Sequence, residues 1–312
     1  MGPFRQPMGR AFALRDPLPW AALASIVREG EEAGYDTVFL PEILGRDALV
    51  TLAALAGETN DLGLATGVVP MRSRTPLLTA MAAATVHERS GGRLMLGVGT
   101  GPPRPGALDE LRGFVLALRA LLAGGTIGRS GREVGLALDP GSPVPIWISA
   151  MGPRAFALAG EIADGAILNW CTPERVVFAR GRIAEAAEAA RRDPAEVTLA
   201  VYVRAWVGED LEAARRALRI AAGEYASYPA YRRQFEHLGL GPQADRAAAA
   251  HRAGRPEEVP EALFEAVSAV GAEAPGRLAA YREAGADVAV VYPVVVGEPT
   301  ASIRGTLAAL AP

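Results

Sequence analysis

The densest chemistry lies in the run Pro145-Ile-Trp-Ile-Ser-Ala-Met-Gly-Pro-Arg154, followed by an apolar stretch and then Ala163-Asp-Gly165. A strand that ends in small residues and passes through Gly152 and Pro153 into a helix leaves first-turn N–H groups unpaired. It also aims the positive end of a helix dipole at the space beyond the strand. That is an anion site, most simply for phosphate, and Arg154 in the first turn can add a charge-assisted bond. An ordinary βα loop would carry the same residues, so the motif needs companions.

Two others qualify. In Ala65-Thr-Gly-Val-Val-Pro70 a glycine interrupts a β-branched run, which suggests a bulge or a close approach of backbone to a ligand. Arg72 and Arg74 follow directly, placed to meet an acidic tail, a phosphate or water. Leu96-Gly-Val-Gly-Thr-Gly101 begins like a dinucleotide loop, but Pro102 stands where the third glycine belongs and no helix begins at once. We read it instead as a glycine-lined strand end on which a planar ring can rest, with Thr100 as hydrogen-bond donor.

These motifs sit at the ends of short aliphatic runs that alternate with Ala/Leu/Glu/Arg segments of helical period, the pattern of repeated βα units around a parallel sheet. Strands are expected near 10–14, 37–40, 62–69, 94–98, 146–149, 166–168, 198–207 and 288–292. Helices are expected near 19–33, 47–58, 76–88, 107–122, 153–162, 173–191 and 300–310. Eight such alternations predict a single domain over 1–312, a (β/α)₈ TIM barrel with a helical insertion after the seventh strand, about 208–284. That insertion is expected over the catalytic face as a lid or substrate wall, or else on a dimer surface. Residues 124–145, rich in Gly and Pro, predict an extended loop or small hairpin.

Composition narrows the partners. Half of the 312 residues are apolar, and the net charge is −3 with scattered basic residues, so neither nucleic acid nor an anionic membrane is suggested. Small molecules are the expected partners. Cys171 alone cannot build a disulfide framework, and the start lacks the apolar core of a secretory signal, which gives a cytoplasmic expectation. Three histidines, with no His-x-His after the first strand, argue against a hydrolytic metal site, and no metal ligand is assigned.

Together the motifs resemble the bacterial luciferase-like superfamily, and specifically its coenzyme F-420-dependent branch, which includes methylenetetrahydromethanopterin reductase. The resemblance is carried by Glu32 through Glu42, Gly45-Arg-Asp47, Thr66 through Pro70, Ser73-Arg-Thr-Pro76, Ser90 through Gly101 and Pro145 through Gly165. Tyr225 to Gly241 is similar to that family's lid region. The resemblance implies a non-proline cis peptide at Gly67-Val68 that backs the deazaflavin ring, a phosphate cradle at Ser149, Ala150, Met151, Gly152 and Pro153, and cofactor contact at Gly99 and Thr100. It also implies a dimer.

Some relatives place a His after the second strand and a Glu after the glycine-threonine loop, where this chain has Glu42 and Pro102. Glu42 and Asp16, both at strand ends, are the remaining acid–base candidates. His87, in a helix before Gly91, reads as a core or surface residue. The leading expectation is hydride transfer between coenzyme F-420 and a small organic substrate. The alternatives are an FMN-dependent monooxygenase fed by a separate reductase, and a non-catalytic barrel with a degenerate site.

Overall fold

The computed structural model describes residues 9–15, 18–102 and 104–312. The strands are β1 (Ala11–Ala13), β2 (Thr37–Leu40), β3 (Gly63–Thr66), β4 (Val69–Pro70), β5 (Leu94–Gly99), β6 (Thr126–Arg129), β7 (Arg132–Gly135), β8 (Ile146–Ser149), β9 (Gly165–Asn169), β10 (Thr198–Trp206), β11 (Ser268–Val270) and β12 (Val288–Pro293). Eight of them, in the order β1-β2-β3-β5-β8-β9-β10-β12, pair in parallel. The ring closes where Phe12 of β1 meets Val291 of β12. The protein is therefore an α/β barrel, as the alternation of elements predicts.

The period of two along each strand explains how the ring fills. Inward positions carry Ala11, Ala13, Phe39, Ala65, Trp147, Ile167, Ala200, Tyr202, Val288, Val290 and Tyr292. The alternate positions, among them Phe12, Val38, Leu64, Leu96, Ile148, Leu168 and Val203, face the helices in the main core. Within the ring Phe39 packs 6.1 Å from Trp147 and 5.7 Å from Tyr202, so the axis is plugged by aromatic side chains, not hollow. Small residues on β1 and β3 make room for these large ones.

The helices are α1 (Trp20–Glu32), α2 (Ala48–Leu55), α3 (Pro76–Arg89), α4 (Ala107–Leu122), α5 (Pro153–Ile162), α6 (Pro173–Ala189), α7 (Leu211–Ala226), α8 (Pro229–His237), α9 (Gly241–Arg252), α10 (Ala262–Glu265), α11 (Ala274–Glu283) and α12 (Pro299–Ala309). Thr75 and Thr172 cap α3 and α6 by accepting from Leu78 and Arg175 N–H, each followed by proline at the first helical position. Asp47 caps α2 in the same way through Val50 N–H. The Gly/Pro-rich segment between α4 and β8 contains an antiparallel hairpin, β6 with β7.

The helical insertion runs from α7 to α11 between β10 and β12, and it brings one element that the sequence does not announce. β11 joins the barrel sheet in parallel with Arg204–Trp206, on the side of β10 whose earlier residues, Thr198–Tyr202, pair with β9. Arg204 and Ala205 also pair with β12 on the other side. β9 thus parts from β10 at the barrel mouth, and a strand of the insertion takes its place.

No helix among the described residues is long and apolar enough to cross a membrane.

Candidate functional site

A cavity of about 750 Å³ opens at the C-terminal ends of the strands, between the barrel mouth and α8. Of the residues singled out from sequence, Glu42, Gly67, Val68, Gly99, Thr100, Ser149, Met151, Gly152, Pro153 and Arg154 all line it. Ala150 does not: it is fully buried and its N–H donates to Ile167 O at 3.0 Å, which holds the end of β8 against β9. Asp16 lies outside the described residues.

One wall is backbone. β3 and β4 are separated by the Gly67-Val68 peptide, which is cis, and the bulge is held on both sides. Gly67 N–H donates to Leu40 O at 2.8 Å, and Val68 O accepts from Glu42 N–H at 3.2 Å. A side chain at Gly67 would collide with Tyr202, whose hydroxyl oxygen lies 1.7 Å from where a Cβ would stand. At Gly99 a Cβ would fall 2.7 Å from both Ser149 Oγ and Val68 Cγ2. Glycine at both positions keeps this wall flat enough for a ring to lie on it.

The N-terminus of α5 forms the rim. Gly152 occupies the cap position in an extended conformation with no side-chain capping bond, in contrast to α2, α3 and α6. The first-turn N–H groups of α5 therefore point outward without internal partners. A Cβ at Gly152 would meet nothing within 4 Å, so the space in front of these donors is open. With Arg154 beside them, the rim suits a phosphate.

Glu42 is engaged from the side. Its carboxylate accepts from Arg74 Nε at 2.9 Å and Nη2 at 2.6 Å, and from Ala48 N–H at 3.3 Å. Arg74 also reaches Asp47. The pairing with Glu42 raises the guanidinium's pKa further, and both side chains are largely buried. Arg74 is thus an internal counter-charge, not a ligand arm facing water or an acidic tail.

The opposite wall is aromatic and was only partly visible in sequence. Tyr202 and Tyr292 rise from the barrel, while Tyr225, Tyr228 and Tyr231 come from α7, α8 and their junction; all five line the cavity. Tyr225 and Tyr231 meet edge to face with centroids 4.6 Å apart. Burial pushes the Tyr292 phenol up to about 12, and those of Tyr202 and Tyr231 well above their ordinary value, so all three stay protonated. Behind them Arg204 is 5% exposed, its guanidinium 4.3 Å from the Tyr292 ring, 4.6 Å from Trp170 and 5.1 Å from Tyr225. It donates to Asn169 Oδ1, and Asn169 Nδ2 donates to Tyr231 Oη at 2.9 Å. An arginine between Val203 and Ala205 in a strand was the available signal for this cluster.

The sequence profile of the luciferase-like monooxygenase family matches residues 6–288, and the chain belongs to that family. Within it, similarity runs to proteins named 5,10-methylenetetrahydromethanopterin reductase and to others named as F-420-dependent. The chain is 32% identical over 227 residues to 5,10-methylenetetrahydromethanopterin reductase of Methanolobus tindarius, covering 68% of this chain and 69% of that one. It is 32% identical over 183 residues to the F-420-dependent glucose-6-phosphate dehydrogenase of Beutenbergia cavernae, covering 50% and 53%. Among solved structures, the coenzyme F-420-dependent tetrahydromethanopterin reductase from Methanopyrus kandleri superposes with a TM-score of 0.78 at 21% identity, over 95% of this chain and 96% of that one. That superposition attests the shared fold.

Proposed function

We propose that this protein is a coenzyme F-420-dependent oxidoreductase that moves a hydride between the deazaflavin and a small organic substrate. The observation that carries the proposal is the joining of two features in one cavity: the flat backbone wall at Gly67, Val68, Gly99 and Thr100, and the uncapped rim at Ser149 and Met151 through Arg154. They fit the two ends of one molecule, a planar ring and a phosphate-bearing tail. When bound, the deazaflavin supplies the carbon that donates or accepts hydride. The protein's share is to hold the ring against the bulge, fix the tail, and present the substrate to the ring's open face under α8.

Titration of the purified protein with coenzyme F-420 tests this. A saturable change in cofactor fluorescence is expected, and FMN binding in its place would overturn it. The FMN monooxygenase alternative draws support from the family's description and from a fold shared with a Baeyer-Villiger monooxygenase solved in complex with FMN. It would need a separate reductase, and oxygen uptake with reduced FMN is its test. A degenerate barrel would have drawn support from a blocked or collapsed strand-end pocket, and the cavity is open.

Three further features belong to the proposal. The chain is one luciferase-like barrel domain over 1–312 whose insertion, about 208–284, serves as the substrate wall. Its partner is a second copy of itself, docked on the exposed apolar side chains Ile43, Leu44, Val50, Leu78 and Met81 around α2 and α3; light scattering on a gel-filtered sample gives its mass. Its address is the cytoplasm, in keeping with a single buried thiol.

A further inference from the structure

We propose that Tyr231 is the hydrogen-bond donor that meets the substrate's acceptor atom while hydride reaches the neighbouring carbon, and that Asn169 and Arg204 position and polarise it. The proposal rests on the hydride-transfer assignment above and adds a group that the motif residues do not supply. Hydride addition to a C=O or C=N carbon leaves the electron pair on the heteroatom, which needs a fixed donor beside it. Glu42 is tied to Arg74 and Ala48, with its carboxylate accepting hydrogen bonds and not donating one.

Among the described cavity tyrosines, Tyr231 is the one whose oxygen accepts from a side chain bonded to the buried guanidinium. Arg204 can only donate, so the Asn169 oxygen must face it and the Asn169 amide nitrogen must face Tyr231. Tyr231 Oη therefore accepts from Asn169, and its own proton has no acceptor among the described residues. The ring lines the cavity, so the proton is available to whatever occupies it. The backbone holds the relay in place, because Gln234 Nε2 donates to the carbonyls of Asn169 and Trp170 at 3.1 and 3.3 Å and ties α8 to the end of β9.

Arg204 supplies the field. It is buried, makes no ion pair among the described residues, and is enclosed by Trp170, Tyr225 and Tyr292, where its charge is poorly screened. Chained hydrogen bonds pass that polarisation on to the phenol. Burial keeps Tyr231 protonated, as a donor must be. The occupant this site suits is a substrate with a carbonyl or imine-type carbon, flat enough to lie between tyrosine rings.

The test begins without cofactor. Tyr231 is replaced by 3,5-difluorotyrosine, whose phenol titrates near neutrality, and followed by fluorine NMR. Removing the buried cation with Arg204→Met should raise the reporter's pKa by about one pH unit or more, and Asn169→Ala should raise it too. No rise in either variant overturns the relay. The second arm follows oxidation of reduced coenzyme F-420 by methylenetetrahydromethanopterin. Tyr231→Phe is expected to lower kcat about 100-fold with KM within about threefold. A raised KM with kcat intact would reduce Tyr231 to a packing residue and overturn the proposal. If the wild-type protein does not turn over that pterin, the fluorine titration decides. Loss of the cofactor assignment shows separately, as absent F-420 binding by the wild-type protein.

Discussion

Arg74 and Glu42, 32 positions apart in sequence, meet side-on through two guanidinium nitrogens at the edge of the cavity, with side chains only 9% and 12% exposed. A pair so placed is costly to break from one side, because the remaining charge is left without its partner. Glu42→Gln and Arg74→Met should each cost about 2 kcal/mol by urea denaturation, somewhat less than a fully buried pair. The double substitution should cost clearly less than their sum. Strict additivity would show that the two side chains act independently and would return Glu42 to the pool of free acid–base groups.

Gly152 separates binding from folding. Its φ of −135° suits any residue, and an added methyl would meet no atom within 4 Å. Gly152→Ala should therefore change stability by less than about 1 kcal/mol, while the methyl stands where a phosphate would approach α5. Cofactor affinity should fall about tenfold, close to 1.4 kcal/mol. For the same reason the deazaflavin chromophore lacking its phosphate tail should bind the wild-type protein roughly thirtyfold more weakly. Equal affinities for the two forms, measured by fluorescence, would mean that the rim is not the tail site.

Gly67 is constrained by space. An alanine there would press its Cβ to 1.7 Å from Tyr202 Oη, 3.0 Å from Cζ and 3.3 Å from Phe39 Cδ1. Gly67→Ala should destabilise by about 2 kcal/mol, the usual size of an overpacking penalty. Adding Tyr202→Phe removes the nearest atom and should recover part of that loss in thermal melts, whereas no recovery would place the conflict in the backbone.

His87 provides a pH signature. It is fully buried, with Nε2 2.8 Å from Ser142 Oγ, and burial lowers its pKa below the ordinary value of about 6.5. The unfolded chain therefore takes up a proton near that pH while the native protein resists it. The stabilisation is complete above about 6.5 and is lost as pH falls through the window beneath it, by at most about 1.4 kcal/mol per pH unit. Urea midpoints between pH 7 and 5.5 should fall less steeply in His87→Gln than in the wild-type protein.

Much of this architecture was legible because the signals are local. All eight barrel strands fall within a few residues of the aliphatic runs that announce them, and α4 and α5 begin and end where helical period and Pro/Gly punctuation place them. The cavity-lining positions were also legible, since each of Gly67, Gly99 and Gly152 sits in its own short motif at the end of a strand. β11 was not: Ser268–Val270 is a three-residue strand inside an Ala/Glu-rich stretch of helical character, and it exists only because the end of β10 offers an open edge. The Arg74–Glu42 pair and the Arg204–Asn169–Tyr231 relay were equally hidden, because each depends on residues 32 to 62 positions apart brought together by barrel closure. The tyrosines of α7 and α8 stood out only as a likeness to a lid.

The strand exchange along β10 has a mechanical consequence. The insertion is laced into the barrel through Arg204–Trp206 and Ser268–Val270, on the same stave that carries the buried guanidinium. Swinging this cover away would have to unzip those backbone bonds or flex the stave itself, so any such movement would tug on Arg204. A guest that needed the cover lifted would therefore loosen the very strand on which Arg204 stands.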